Sequence, residues 1–334
     1  MNDAAKEVMR AKVGAGSVMD DKPRKAPSLA FVIPCYNEEV MIEALSRSLK
    51  TLSKELVDGG YIRGAARILL VDDGSSDGTW QLIADLARDD KVTGLKLSRN
   101  FGHQAALLAG MLCAEDEILV SLDADLQDDL AAIPKMIDAY KDGAEIVFGV
   151  RSDRSSDTAF KRVSAHAYYS LLRGMGVDII PEHADFRLMS RKAVETLRDH
   201  QEVNLFLRGL VSTLGYRCER VSYARNERFA GETKYSLGKM IKLAVEGITS
   251  FSVQPLRMVT WFGIIIALFS FAYGSYAIVM RLLGATVSGW ASIVVSIYLL
   301  GGIQMIALGI IGEYLGRTYL ETKRRPPFII DQVV

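Results

Sequence analysis

Asp123-Ala124-Asp125 follows the apolar run Ile118-Leu119-Val120-Ser121-Leu122. Side chains alternate along a strand, so both aspartates leave the same side of the chain at the C-terminal end of that run. A hard divalent cation takes oxygen ligands, usually one or two carboxylates plus phosphate oxygens of a substrate. An acidic pair at a strand mouth therefore suits an ion that bridges a nucleotide diphosphate. Acidic turns are also common after strands, so the pair does not define a metal site by itself.

A second polar loop, Asp72-Asp73-Gly74-Ser75-Ser76-Asp77-Gly78, contains no Gly-x-Gly-x-x-Gly and no Gly-Lys-Ser/Thr, which excludes a dinucleotide fingerprint and a P-loop. It offers Asp72 and Asp73, acceptors suited to the N–H of a pyrimidine or the hydroxyls of a ribose. Read locally, the same loop is an Asp/Gly/Ser turn in which Ser76 or Asp77 caps the next helix.

These loops need elements to position them. Residues 29–33, 68–71, 93–97, 118–122 and 145–150 are short apolar runs expected as strands, and 38–56, 78–88, 102–113 and 131–140 have helical patterns. The alternation predicts an α/β domain built on an open, mostly parallel sheet with helices on both faces. Ligands of such sheets bind outside the carboxyl ends of the strands. There lie Pro34-Cys35-Tyr36-Asn37-Glu38, the second polar loop and the acidic pair.

The chain has 334 residues, with 40 basic residues against 40 acidic, and divides sharply near residue 256. Met258 to Met280 and Leu282 to Gly312 carry no formal charge. A bilayer core needs about 20 apolar helical residues, so two membrane spans are expected, joined near Arg281, Gly284, Ser288 and Gly289. Arg257 precedes the first, and Arg317, Lys323, Arg324 and Arg325 follow the second, which predicts that both long ends are cytoplasmic and the protein multi-pass in the inner membrane. Leu237, Met240, Ile241, Ala244, Val245 and Ile248, with Lys239 and Lys242 opposite, predict an amphipathic helix on the membrane surface. The expected divisions are thus an N-terminal extension (1–28), a catalytic domain (29–235), an interface helix (236–256), a helical hairpin (257–314) and a tail (315–334). Residues 1–28 lack the apolar stretch of a signal peptide and read as a flexible extension. Cys35, Cys113 and Cys218 are odd in number and scattered, as expected of reduced cytoplasmic thiols. A zero net charge gives no support to nucleic-acid binding.

Six segments together resemble the glycosyltransferase family 2 enzymes, and within them the polyprenyl-phosphate sugar transferases similar to dolichyl-phosphate mannose synthase. They are Val32–Glu38, Val71–Thr79, Leu97–Gly102, Asp123–Asp128, Asp185–Leu188 and Gly231–Tyr235. Gly312–Arg317 with Arg325-Pro326 looks like the bacterial two-span bactoprenol glucosyltransferase branch. The resemblance implies a glycosyltransferase A-type, Rossmann-like domain. It implies that Pro34, Tyr36, Glu38 and Asp73 hold the nucleoside, with Asp123 near the ribose or the metal, and that Asp125 with Gln127 coordinates Mg²⁺ or Mn²⁺. Arg228 and Lys234 resemble the family's pair that closes over the diphosphate. Arg151, Arg162 and Ser164 match positions used for the acceptor phosphate, where planar guanidinium groups suit bidentate binding.

The implied reaction is an inverting transfer from a nucleotide sugar to a polyprenyl phosphate such as undecaprenyl phosphate, with UDP-glucose the favoured donor and GDP-mannose the alternative. Asp157 and Asp185 are candidates for orienting or deprotonating the acceptor, and equally for a helix cap or ion pair. His103 and His166 have no evident partner in sequence and are expected to be structural. Processive synthases carry Gln-x-x-Arg-Trp, whereas Gln254-Pro255-Leu256-Arg257-Met258 lacks the tryptophan. A membrane-anchored, non-catalytic scaffold that binds sugar nucleotide is the rival of another class; the acidic pair, Gln127, Arg228 and Lys234 speak against it. Gly301, Gly302, Gly309 and Gly312 would let helices approach closely, within the hairpin or between subunits of a homo-oligomer.

Overall fold

The structure, a computed structural model, describes residues 24–151, 183–200, 207–224, 254–283 and 289–334. The expected strands are present as β1 (Leu29–Cys35), β2 (Arg67–Asp72), β3 (Val92–Leu97), β4 (Ile118–Ser121) and β5 (Ile146–Arg151). Among them run α1 (Ile42–Asp58), α2 (Thr79–Leu86), α3 (His103–Cys113) and α4 (Ile133–Lys141). Helix α1 starts four residues later than its apolar pattern suggests. The N–H of Glu38 donates to Thr79 Oγ1 at 2.9 Å and that of Glu39 to Asp77 Oδ2 at 3.4 Å, so these residues belong to the loop.

The sequence pattern did not predict β6 (His183–Ser190), α5 (Arg191–Arg198), α6 (Leu207–Thr213), β7 (Cys218–Tyr223) or β8 (Ile330–Val333). The eight strands form one sheet in the order β7-β5-β6-β4-β1-β2-β3-β8. Strands β1 to β4 are mutually parallel, β5 and β7 share their direction, and β6 and β8 oppose it. Apolar clusters cover both faces. Leu45, Leu49, Ile133 and Met136 lie on one side, and Ala106, Leu107, Val194 and Val211 lie on the other. Helix α3 lies close to the sheet because residue 110 is glycine. A Cβ there would stand 2.4 Å from a methyl of Val32.

Beyond the sheet, α7 (Gln254–Leu282) and α8 (Trp290–Thr322) are long and apolar. Gln254–Met280 and Leu299–Thr322 have mean hydropathies of 1.9 and 1.5, and no residue of their apolar stretches is buried in the protein. They are long enough to cross a bilayer core. Phe269, Phe271, Leu300 and Met305 are among their exposed side chains. Glycines 301, 302, 309 and 312 have nothing within 4 Å of where a Cβ would sit, so among the described residues they do not serve close packing within the hairpin.

Helix α8 continues past the expected boundary at residue 314. An i, i+4 pair between Glu313 and Arg317 (3.1 Å) supports its added turns, and Pro326-Pro327 follows its end. The tail then enters the sheet as β8, antiparallel to β3.

Candidate active site

The carboxyl ends of β1, β2 and β4 open on one edge of the sheet, and β6 begins at that edge because it runs antiparallel to β4, with Ser121 opposite Arg187. This places Asp185 beside the loop that follows β4. The Ser121 hydroxyl donates to the Asp185 carbonyl at 2.5 Å and fixes the junction.

Asp185 is buried among donors. Its Oδ1 accepts from Arg187 Nη2 at 2.7 Å, and its Oδ2 from Gln104 Nε2 at 3.2 Å. Arg187, itself fully buried, also donates to the Leu207 carbonyl at 3.4 Å. A buried pair of this kind is costly to break, since either partner alone would be an uncompensated charge. His103, the first residue of α3, brings Nε2 to 3.2 Å from Asp185 Oδ2 and 3.6 Å from Asp123 Oδ1. Sequence reasoning read this histidine as structural for want of a partner. Its ring is half-exposed between two carboxylates contributed by β6 and the β4 loop. No local sequence signal could have joined residues so far apart.

A ring nitrogen of His103 and one oxygen each of Asp123 and Asp185 lie within 4.8 Å of one another, a set able to hold a metal ion. Asp123 Oδ1 is buried and accepts no hydrogen bond among the described residues, which suits a carboxylate oxygen that ligates a cation. Burial pushes its carboxyl up to about 6; His103 opposes the rise, and Asp185, Asp128 and Asp125 add to it. Asp125 accepts only locally in the described structure, from the Gln127 N–H at 3.2 Å. Leu126 between them has φ of 53°, in the left-handed region that a branched side chain rarely adopts, and this bends the loop tightly after the acidic pair. The buried Asp128 anchors that bend by accepting from Tyr223 Oη at 2.6 Å. The donor set fits a divalent cation, with Asp123 and Asp125 the more available carboxylates because Arg187 already neutralises Asp185.

Glu38 faces this acidic loop. Burial, then the charges of Asp125, Asp77 and Asp123, raise its carboxyl above the usual range. Tyr36 stands 48% exposed at the mouth, and Pro34 is buried within β1 opposite Val71. The loops after β1 and β2 are laced together: Asn37 N–H donates to Ser75 Oγ at 3.0 Å, and Asn37 Oδ1 accepts from the Ser76 N–H at 2.9 Å. Gly78, which has no side chain, is the residue before α2, and the neighbouring Asp77 satisfies the helix start by accepting from the N–H of Thr79 at 3.0 Å.

Asp73 is nearly inaccessible. Its Oδ1 accepts from the Phe101 N–H at 2.7 Å and its Oδ2 from the Gly102 N–H at 2.9 Å. Burial pushes its carboxyl up, and these two bonds hold it back. Asp73 thus clamps the loop leading into α3, a role that its sequence position did not reveal. Its neighbour Asp72 leaves a buried Oδ2 with no hydrogen bond among the described residues. Gly74, at φ of 68°, lets the same loop pass: a Cβ there would stand 2.5 Å from the Arg99 carbonyl carbon.

Asp157, Arg162, Ser164, His166, Arg228, Lys234 and residues 236–253 of the expected interface helix lie outside the described residues, and residues 254–256 begin α7. Of Arg151 only the backbone, at the end of β5, is described.

The profile of the family described as "Glycosyl transferase family 2" matches residues 30–198, half of the chain and all of the loops just described. The chain belongs to this family. As a family 2 glycosyltransferase it is an enzyme with a glycosyltransferase A-type α/β domain, as its motifs implied. Relatives match beyond the catalytic domain. An uncharacterized glycosyltransferase, YkoT, of Bacillus subtilis is 47% identical over 91% of each chain. A prophage bactoprenol glucosyl transferase homolog of Escherichia coli is 42% identical, covering 91% of this chain and 99% of its own. The bactoprenol glucosyl transferase of Shigella phage SfV is 41% identical over 90% and 97% respectively. Among solved structures, glucosyl-3-phosphoglycerate synthase from Mycobacterium tuberculosis, in complex with Mn²⁺, UDP-glucose and phosphoglyceric acid, superposes with a TM-score of 0.42 at 18% identity, over 67% of this chain and 78% of that one.

Proposed function

We propose that this family 2 glycosyltransferase moves glucose from UDP-glucose to the phosphate of a polyprenyl phosphate, undecaprenyl phosphate in particular, at the cytoplasmic face of the inner membrane. The observation that carries this reading is the length of the match. Relatives named for glucosyl transfer to bactoprenol align over 90% or more of this chain, so the likeness extends past the catalytic loops into the long apolar helices. A water-soluble acceptor would require no such helices.

Pro34, Tyr36, Glu38 and Asp73 sit on the nucleoside side of the site. Asp123 and Asp125, with Gln127 and His103, would hold Mg²⁺ or Mn²⁺. When bound, such an ion offsets the charge that builds on the departing diphosphate. Arg228 and Lys234 close over that diphosphate, and exclusion of water there suppresses hydrolysis of the donor. Arg151, Arg162 and Ser164 receive the acceptor phosphate, with Asp157 orienting it. A phosphate oxygen attacks the anomeric carbon from the face opposite the nucleotide. The new carbon–oxygen bond forms as the bond to the diphosphate breaks, and the centre inverts. A phosphate monoester with a second pKa near ~6 is already largely ionised at neutral pH, so no strong base is required. Asp185, its oxygens engaged by Arg187 and Gln104, is a fixed, charge-balanced carboxylate beside His103 Nε2.

Because β8 pairs with the same sheet that carries the site, the chain re-enters the catalytic domain after α8. This supports two crossings and a common side for both ends, in keeping with the flanking basic residues.

The deciding experiment offers radiolabelled UDP- and GDP-sugars with undecaprenyl phosphate to the detergent-solubilised enzyme, with Mg²⁺, Mn²⁺ or EDTA. Metal-dependent label in the lipid phase from UDP-glucose alone is expected. Label from GDP-mannose instead would overturn the donor assignment, and no lipid product from any donor would overturn the acceptor.

A further inference from the structure

Residues 323–334 connect α8 to the loop that positions Asp73 and His103. Phe328 and Ile330 pack against the apolar cluster beneath α3. The Ile329 carbonyl accepts from the Ser98 N–H at 3.0 Å. Strand β8 then lies along β3, with Leu97 opposite Ile330, Lys96 opposite Gln332 and Leu95 opposite Val333. A reciprocal pair closes the register: Gly94 N–H donates to the Val334 carbonyl at 2.8 Å, and Val334 N–H to the Gly94 carbonyl at 2.9 Å. Residue 94 has to be small for this approach, because a Cβ would fall 2.7 Å from a Val334 methyl and 2.6 Å from one of Ile83. Without β8, strand β3 would be the sheet's edge, with unpaired backbone groups along it.

The same strand runs directly into the site. Ser98, held by Ile329, is followed by Arg99, whose backbone rests against Gly74, then by the Phe101 and Gly102 N–H groups bound to Asp73, then by His103. We propose that β8 is a positioning element of the donor and metal site. By fixing β3 and Ser98 it holds residues 99–102 where they clamp Asp73 and start α3 in the orientation that brings His103 to Asp123 and Asp185. The site is thereby mechanically tied to the second apolar helix through residues 323–329. Edge pairing of four residues is weak compared with the central strands, so the clamp is the part of the site that opens first when the tail leaves.

The inference rests on the proposed donor reading only for its kinetic arm; amide exchange reports on the loop whatever the sugar nucleotide. The test compares the full chain in detergent with a variant ending at Pro327, and adds a synthetic peptide of residues 328–334 in trans. Exchange of the amides of residues 94–102 should rise about 10-fold or more on truncation, while β1 and β4 stay protected, as expected for local opening. The donor KM should rise on the order of 10-fold with a smaller change in kcat, a loss equivalent to about 1.4 kcal/mol. The peptide should restore both. Unchanged exchange and unchanged donor KM in the folded truncated enzyme would overturn the proposal, as would a peptide that restores protection without restoring KM. Should truncation prevent folding, the full-length variants Phe328→Ala and Gly94→Ala carry the same expectation at smaller amplitude, and no exchange increase at 98–102 in either would sink it. If no donor is turned over while exchange behaves as expected, the donor reading fails and the positioning role stands.

Discussion

The imidazole of His103 and the carboxylate of Asp185 meet at 3.2 Å although 82 positions separate them in the chain. One begins the helix after β3, and the other lies near the start of an antiparallel strand beside β4. Arg187 occupies the far oxygen of Asp185 at 2.7 Å, so the aspartate is charge-balanced beside the ring. The same Nε2 stands 3.6 Å from Asp123 Oδ1, a buried oxygen that accepts no hydrogen bond among the described residues, so a metal ligated by that nitrogen would take the place of its hydrogen bond to Asp185.

A nitrogen ligand beside carboxylates changes which ions the site prefers. Imidazole favours later divalent metals, whereas Mg²⁺ is satisfied by oxygen alone. His103→Gln should therefore weaken Mn²⁺ binding by about 10- to 100-fold while affecting Mg²⁺ less, in the range seen when a metal's supporting ligand shell is altered. Mn²⁺ titration followed by electron paramagnetic resonance gives the answer without turnover. Equal losses for both ions would argue that His103 only shapes the pocket.

Asp125 makes one hydrogen bond among the described residues, to the Gln127 N–H, and is only partly buried, so its side chain contributes little to folding. Asp125→Ala should keep its melting temperature within a few degrees and lose at least about 100-fold in kcat, the scale of removing one electrostatic contact to a transition state. Sugar transfer and a thermal melt on the same preparation check both halves. A variant that melts early would recast Asp125 as structural.

The parallel core of the fold was legible because β1, β2 and β4 are nearly continuous apolar runs buried on both faces, β3 keeps Val92, Leu95 and Leu97 buried between the partly exposed Thr93 and Lys96, and each strand is followed by a polar loop. Strand β6 was not. His183–Ser190 carries Asp185 and Arg187 two residues apart, which reads as a solvated segment until the two are seen to neutralise each other inside the protein. The four residues of β8 have too little pattern to announce a strand, and only the open edge of β3 explains them. At the site, the acidic loop and Glu38 could be read from their places after strands. The clamp made by Asp73 and the partnership of His103 could not, since both depend on which strands lie side by side.

Asp123 sets a pH dependence for the metal-free protein. Its carboxyl titrates at about 6 when folded, against ~3.9 in an unfolded chain. Between those values the folded state holds the extra proton, so stability falls as pH rises through this window, and the deficit persists above it. Asp123→Asn removes the deficit. In EDTA the variant should melt above the wild type at pH 7.5, and the gap should close toward pH 4. Adding Mn²⁺ should raise the wild type and not the variant, because only the native site binds the ion. A gap that does not vary with pH would contradict the assignment of a strained carboxylate.

Asp73→Ala would strip two backbone donors, the N–H groups of Phe101 and Gly102, of buried partners. Each orphaned group costs about 1–3 kcal/mol when water cannot replace the bond. The melting temperature should therefore fall by several degrees, and the loop between Ser98 and His103 should lose amide protection. Asp73→Asn retains one acceptor oxygen and should lie between the two. If Asp73 served only to contact the nucleoside, both variants would lose donor affinity with an unchanged melt. A parallel loss of stability and donor affinity, graded from Asn to Ala, is the expected signature of a carboxylate that acts on the donor by holding the loop.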